Sequence, residues 1–407
     1  MRRLSKQQKK TIFLFISTVV GVLGGILSSI INTRALDPVL YGDVRYVQNI
    51  YSFLSTITLF GYFYAGSRLL ALSNDKLRSE NIRGALICIL GSSCVLIIIG
   101  GVLFSLIRGS EKSDSSLLLI SLPICFYPIF YQYINTVSQG DNHIGRIAVA
   151  RISIYLCYVP LAYFIYRYYG ATPKLMMLLQ WGIYTFITGI IVFSAKIRFN
   201  NLKIIFKELK KENKDYGRHQ YIGSIVMVGS NYIAGISLGI LNPNNTEVGF
   251  YTLALTLCHP LTLLPAIIGT SYYKQFAYQK KIPNKVFYST LLLTFISCII
   301  FIFFIRYVVL FLYSIEYITV ATYAALLAIG LSMHGFGDML NRYLGSHGQG
   351  KSIKKTSITC GILRIIGFTI LIYFWGINGA IITVILCGII YCLLMYRYYY
   401  KFTKLNN

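Results

Sequence analysis

Charged side chains inside long apolar segments are the residues of this chain best suited to chemistry. Asp338 lies in such a segment, and so do the arginines Arg45, Arg68, Arg151, Arg306, Arg342 and Arg364. An ionisable group near a bilayer centre costs at least ~2.5–3.5 kcal/mol, so it usually faces a cavity or a partner. A guanidinium offers phosphate a planar fork of donors and keeps its charge when desolvated. The set predicts a cationic cavity for an anionic head group, lined by Arg364, Arg68, Arg151, Arg34, Arg45 and Asn32.

The depth of each arginine decides between that cavity and a simpler interpretation. Arg364 lies about eight residues inside its segment, or ~12 Å at 1.5 Å per residue, which is too deep to reach head groups easily. Four other arginines lie nearer the segment ends, where a long side chain can also extend to the head groups; these are Arg34, Arg45, Arg68 and Arg151. Asn32 either lines the cavity or bonds to a neighbouring helix. Both interpretations stay open for these shallower residues.

Asp338 and Arg342 are spaced four residues apart, so on a helix they share a face and can form an ion pair. The alternative is that Asp338 carries a coupling proton, because it is the one acid well within an apolar segment. Gly335 and Gly337 beside it would let the helix bend. We therefore name Asp338 and Arg342 as the candidate residues for ion coupling.

No motif for covalent catalysis or metal binding accompanies these residues. The five histidines show no metal-ligand spacing, and neither a phosphate loop nor a nucleophile elbow occurs. All nine cysteines lie inside apolar segments, which favours packing over disulfide formation. We therefore expect no catalytic residue, no metal and no cofactor, and predict that the protein is not an enzyme.

Twelve apolar segments must position these side chains. Of the 407 residues, 56% are apolar and 13% are charged, with a mean hydropathy of +0.62; a soluble protein carries roughly twice that charge. A helix needs about 20 apolar residues to cross ~30 Å of hydrocarbon, whereas barrel strands are shorter and alternate. We therefore predict membrane helices at 11–34, 44–72, 84–107, 117–139, 147–168, 175–196, 220–241, 248–276, 286–313, 318–346, 356–375 and 380–397.

Lysine and arginine placement sets the predicted orientation of these helices. With a cytoplasmic N-terminus, most of the 38 lysines and arginines fall in cytoplasmic segments, so both termini are expected in the cytoplasm. The same asymmetry accounts for most of the +25 net charge, and nucleic-acid binding is not needed to explain it. Residues 197–219 form the longest internal connection, which is either an amphipathic helix on anionic lipid or a charged tether.

The two halves of the chain share landmarks at a nearly constant offset of 205 to 208 residues, namely Pro38 and Pro243, Gly42 and Gly249, Gly140 and Gly348, and Gly170 and Gly376. Four matches in order indicate an internal repeat. Six helices per half give both repeats the same orientation in the membrane, as in one class of transporter. The predicted organisation is a six-helix bundle at 1–196, a cytoplasmic basic linker at 197–219 and a pseudo-symmetric six-helix bundle at 220–407, around a central cavity.

Several stretches of the chain resemble a known family. NTRALDPVLYGDVRYVQNI with the later FGYFYAGSRLLA, EVGFYTLALTLCHPLTLLPAIIGTSYYKQFA and LNRYLGSHGQGKSIKK resemble bacterial polysaccharide-unit flippases, the Wzx type of the MOP exporter superfamily. The resemblance implies an all-α, MATE-like fold of twelve membrane helices in the bacterial cytoplasmic (inner) membrane. It also implies that undecaprenyl-pyrophosphate-linked oligosaccharide units, for O-antigen or capsule, are moved to the outer leaflet with coupling to an H⁺ or Na⁺ gradient. The implied partners are this glycan, membrane lipids, a polysaccharide polymerase and a chain-length regulator.

Three other functions compete with this interpretation. A drug or metabolite exporter of the same superfamily would favour an acidic cavity for cationic drugs, whereas arginines dominate here. A membrane polysaccharide polymerase would carry a large external loop, and every external loop predicted here is short. A channel would show a repeated filter segment, which the sequence lacks.

Overall fold

The computed structural model describes residues 6–73, 75–108, 113–141 and 143–405, and this part of the chain contains helices and short connections without any strand. The predicted all-α class is therefore confirmed. The α-helices are α1 (Lys6–Ala35), α2 (Pro38–Ile57), α3 (Tyr62–Leu72), α4 (Lys76–Arg108), α5 (Ser113–Ile120), α6 (Tyr127–Gly140), α7 (Ile144–Tyr168), α8 (Pro173–Phe193), α9 (Leu202–Glu212), α10 (Arg218–Ser224), α11 (Ser230–Leu241), α12 (Thr246–Ser271), α13 (Tyr273–Phe276), α14 (Asn284–Leu312), α15 (Ile318–Ser346), α16 (Gly350–Ile366) and α17 (Ile372–Leu405).

Nine helical stretches of the described chain are long and apolar enough to cross a membrane, or ten if the bent pair Asp114–Ile120 and Leu122–Gly140 is one span. The protein is therefore a multi-pass membrane protein. One of the nine, Gly350–Lys404, has 55 residues, which is enough for two crossings of ~30 Å. It contains the predicted helices at 356–375 and 380–397. The predicted count of twelve spans stays a prediction.

The predicted helix at 44–72 is broken into α2 and α3. Phe60 and Gly61 have φ values of 46° and 83°, in the left-handed region that ends a right-handed helix. The side-chain amide of Asn213 donates to the carbonyl oxygen of Phe60 over 3.0 Å and so satisfies an acceptor that the break exposes. Hydropathy cannot show such a break, because both halves of the segment are apolar.

The helices form two compact units. The first comprises Met1–Leu36 and Asp43–Ile225, and in it α1 packs along α7 and α3 packs along α6. The second comprises Asp37–Gly42 and Val226–Asn407, and in it α15 packs against α12, α14 and α17. The predicted division at 1–196, 197–219 and 220–407 stays a prediction, and the first unit takes in the predicted linker.

A glycine marks a kink inside α17, the final long helix of the second unit. Gly376 has φ 52° and ψ −136°, a combination that suits only glycine. The following Ile377 N–H donates to Glu247 Oε2 over 3.1 Å, and the Asn242 side-chain amide donates to the same oxygen over 2.9 Å. Gly170, the equivalent residue of the sequence repeat, also has a positive φ of 74°. The break between predicted helices 11 and 12 therefore has a defined chemical cap.

Replacing Gly376 with alanine is expected to destabilise the protein by about 1–3 kcal/mol, because a Cβ strains this backbone conformation. The added Cβ would also lie 3.3 Å from Glu247 Oε2. Thermal denaturation of the detergent-purified protein measures the effect. Gly91→Ala is the matched control, since its Cβ would meet nothing within 4 Å on α4. Equal melting temperatures for both variants would contradict the prediction.

The predicted linker contains a helix that packs against the first unit. Ile205 and Leu209 of α9 are buried there, against α3 and α4. The sequence left open whether an apolar face would lie in lipid, and the structure places the centre of that face on protein instead.

Candidate functional site

A chain of hydrogen bonds joins four helices of the first unit. The hydroxyl of Tyr158 on α7 donates to Asn32 Oδ1 on α1. Asn32 Nδ2 donates to Gln180 Oε1 on α8 over 3.5 Å, and Gln48 Nε2 on α2 donates to the same oxygen over 2.9 Å. Arg45 donates through an Nη1–H to Gln48 Oε1 over 2.9 Å. Two residues predicted from the sequence, Arg45 and Asn32, are therefore linked through two buried glutamines that the sequence analysis missed.

An aromatic cluster packs beside this network. The ring of Tyr184 lies 4.8 Å from that of Tyr127, 5.7 Å from Tyr158 and 5.8 Å from Tyr155, measured between centroids. Tyr158 and Tyr184 are buried. Such offset and edge-to-face pairs stabilise a core beyond the area they bury. The cluster holds α6, α7 and α8 in the register that the hydrogen bonds require.

Arg151 on α7 forms hydrogen bonds to neutral side chains of α1 and α6. Its Nε–H donates to the Tyr131 hydroxyl over 2.9 Å, and an Nη1–H donates to Thr18 Oγ1 over 2.7 Å. Close packing of α1 on α7 supports this position, because a Cβ on Gly24 would overlap the ring of Tyr155. Within the described residues no carboxylate pairs with Arg151, so its charge is available to an anion.

Arg68 pairs with a carboxylate outside these clusters. The half-exposed guanidinium of Arg68 pairs with Glu212 over 2.6 Å and lies 5.1 Å from the centre of the Tyr216 ring. Arg34 is exposed near the end of α1. The cavity role predicted for these two residues stays a prediction, and Arg68 now has a carboxylate partner on α9. Arg306 is exposed on α14.

Arg364 is the most buried of the predicted arginines, with 8% of its surface exposed. An Nη1–H donates to Asn231 Oδ1 on α11 over 2.8 Å. Its Nε is buried without a hydrogen-bond partner, and no carboxylate in the described part of the second unit forms an ion pair with it. An unsatisfied buried donor costs about 1–3 kcal/mol, and binding an anion would relieve that cost.

Arg364 and Tyr158 occupy equivalent places in the sequence repeat. They are separated by 206 residues, the same offset as Gly170 and Gly376. Each donates to an asparagine, Tyr158 to Asn32 on α1 and Arg364 to Asn231 on α11, although these asparagines are 199 residues apart, outside the offset of the repeat.

The expected ion pair between Asp338 and Arg342 is not formed. The hydroxyl of Tyr391 donates a hydrogen bond to Asp338 Oδ1 over 2.8 Å. The oxygen of that hydroxyl accepts a hydrogen bond from Asn341 Nδ2 over 2.9 Å. Arg342 is exposed. Gly337 explains the difference, because a Cβ there would lie 2.7 Å from the Tyr391 ring, and its absence lets α17 approach. The prediction of an intrahelical pair was wrong, and the coupling role of both residues stays a prediction.

His334 completes this second cluster. Its ring lies 4.2 Å from the centre of the Tyr391 ring, and its Nδ1 is buried without a hydrogen-bond partner. Within the described residues, no group of three or more histidines, cysteines and acids is placed to hold a metal ion. The cluster therefore contains one carboxylate, one phenol and one imidazole, which are groups that can bind or transfer a proton.

Solved structures place this fold in one class of membrane transporter. The chain matches an inward-facing multidrug resistance MATE family transporter of the MOP superfamily, with TM-score 0.68 and 14% identity over 96% of this chain and 99% of that one. It matches the lipid II flippase MurJ in an inward closed conformation, with TM-score 0.75 and 13% identity over 97% and 90%. It also matches a MOP superfamily transporter from Pyrococcus furiosus, with TM-score 0.55 and 13% identity over 96% and 94%.

The family model "Polysaccharide biosynthesis protein" matches residues 8–273, and the chain belongs to this family. The predicted resemblance to polysaccharide flippases of the MOP superfamily is thereby confirmed. Family and fold together support a flippase-type transporter rather than an enzyme. No curated protein matches the sequence.

Proposed function

We propose that the protein moves undecaprenyl-pyrophosphate-linked oligosaccharide repeat units from the cytoplasmic to the outer leaflet by alternating access. Membership of the polysaccharide biosynthesis family supports a glycan as cargo. A fold like that of a protein described as a lipid II flippase supports a lipid-linked form of it. The repeat unit is destined for O-antigen, capsule or a related surface polysaccharide.

The observation that carries this proposal is the buried, carboxylate-free guanidinium of Arg364. Arginine stays charged when buried, and its fork of donors matches two phosphate oxygens at once. Asn231 is exposed, so Arg364 lies one hydrogen bond behind the accessible surface of its unit. Arg151 offers a further guanidinium group in the first unit, whose hydrogen-bond partners Tyr131 and Thr18 are neutral.

We propose further that transport is coupled to an H⁺ or Na⁺ gradient through Asp338. The carboxylate is held by a tyrosine hydroxyl rather than by a cation, so its charge is free to be neutralised by a bound ion. We place the protein in the bacterial cytoplasmic (inner) membrane with both termini in the cytoplasm. A polymerase and a chain-length regulator would take up the product on the outer side.

A multidrug or metabolite exporter is the second candidate, because the structural neighbours include MATE family multidrug transporters. A pocket for cationic drugs needs acidic side chains, whereas the polar clusters described above contain Arg45, Arg151 and Arg364 beside a single acid, Asp338. The polar groups of this chain therefore suit an anionic substrate better.

Depletion of the protein tests the proposal in cells. Completed single repeat units on the lipid carrier are expected to accumulate on the cytoplasmic face, with surface glycan lost. A membrane-impermeant enzyme that cleaves the glycan distinguishes the leaflets in right-side-out and inverted vesicles. Short units that reach the outer face and remain unpolymerised, or a normal surface glycan, would contradict the flippase proposal.

A further inference from the structure

Five exposed lysines lie on α9 and on the π-helical turn Asn213–Gly217 that follows it, and we name them the lysine stripe: Lys203, Lys207, Lys210, Lys211 and Lys214. At about 100° of rotation per residue, the four of them on α9 fall within an arc of about 100°. The opposite face holds the buried Ile205 and Leu209. Packing against the first unit therefore fixes the direction in which the stripe points.

The acidic residues of the same helix do not neutralise the stripe. Glu208 pairs with Arg78 over 3.0 Å and Glu212 pairs with Arg68 over 2.6 Å, so both face the first unit. No ion pair found among the described residues involves a lysine of the stripe. Docking of α9 thus separates its charges, with Glu208 and Glu212 paired to arginines of α4 and α3 and the five lysines exposed; the exposed Asp215 next to Lys214 offsets one of these positive charges.

The stripe also lies close to the expected membrane surface. Arg78, which pairs with Glu208 of α9, is a neighbour of the stripe. The apolar run of α4 starts at Ala85, seven residues or ~10 Å along the helix from Arg78. That distance is about one Debye length at 0.1 M salt, so head-group charges still act on it. Leu72, Phe199 and Ile204 are exposed by 68%, 55% and 60% in the same region. Basic side chains beside exposed apolar ones are typical of a segment on a bilayer surface.

We propose that the lysine stripe binds the phosphate groups of anionic phospholipids at the membrane surface. The binding is electrostatic and independent of the transported substrate. It differs from insertion of an amphipathic helix, because the centre of the apolar face of α9 is already occupied by protein. The competing occupant is an acidic soluble protein. A charged protein surface would not bury the exposed apolar side chains of this region, whereas a bilayer would.

The test uses the full-length, detergent-purified protein, with dioleoylphosphatidylglycerol and dioleoylphosphatidylcholine as probes. The stripe variant replaces all five stripe lysines with glutamine. The matched control replaces five exposed lysines of the second unit with glutamine and so removes the same charge: Lys280, Lys281, Lys285, Lys351 and Lys354. Bound lipid is quantified after size exclusion at 50 and 500 mM NaCl, and thermal denaturation verifies that each variant is folded.

The expected result is at least ~10-fold weaker phosphatidylglycerol binding by the stripe variant, with near-normal binding by the control. The wild-type protein should bind phosphatidylcholine weakly and lose phosphatidylglycerol at high salt. Equal phosphatidylglycerol binding by the wild-type protein and the stripe variant would overturn the proposal. This is also the result expected if the stripe binds an acidic protein instead of lipid. Because no transport is measured, failure of the flippase proposal would leave this result unaffected.

Discussion

Arg364→Gln is expected to slow outward movement of the lipid-linked oligosaccharide by about 10- to 100-fold. Glutamine can still donate to Asn231 Oδ1, but it removes the positive charge that we propose binds the pyrophosphate. A hydrogen bond to a charged group contributes about 1.5–3 kcal/mol, which corresponds to that range of rates. The measurement is the rate at which the glycan becomes accessible to an external lectin in reconstituted vesicles.

Arg306→Gln is the matched control, because it removes the same charge from an exposed position of the same unit. We expect normal transport from this control. Arg364→Lys should give an intermediate rate, since it restores the charge without the planar fork of donors. Transport at the wild-type rate by a folded Arg364→Gln protein would contradict the proposed role of the buried guanidinium.

Asp338→Asn is expected to uncouple transport from the ion gradient while leaving the fold intact. Asparagine still offers Tyr391 an oxygen acceptor, so the hydrogen bond between α15 and α17 can persist. Losing one coupled charge removes about 2.3 kcal/mol of driving force per 100 mV. The maximum ratio of flipped to unflipped substrate that the gradient can sustain therefore falls about 50-fold. Transport in vesicles with an imposed gradient, compared with the same vesicles after its collapse, measures the effect.

Arg342→Gln provides the comparison for this prediction. Arg342 is exposed and does not pair with Asp338, so its replacement should change the gradient dependence little if Asp338 acts alone. Tyr391→Phe should shift the gradient dependence without abolishing it, because it removes a donor to the carboxylate. If Asp338→Asn retains full gradient-driven transport, Asp338 serves only as a structural partner of Tyr391.

Several features of the site were accessible from the sequence and others were not. Arg364 stood out because burial of an arginine is costly wherever a helix places it, so its depth alone made it a candidate. Gln48 and Gln180 did not stand out, since a glutamine in an apolar run is unremarkable until its partner is known. Arg68 was assigned to a cavity because its partner Glu212 lies 144 residues later in the chain.

The sequence by itself determined the membrane class, the all-α fold and the family, and it predicted the repeat. Each of these depends on local or periodic properties, because hydropathy adds up residue by residue and a repeat preserves its spacing. The tertiary structure alone decided which polar groups meet. Asp338 bonds to Tyr391 rather than to Arg342 because Gly337 lets α17 approach, and the lysine stripe faces outward because Ile205 and Leu209 fix the rotation of α9. Helix rotation and close approach depend on packing between distant segments, which local sequence patterns do not encode.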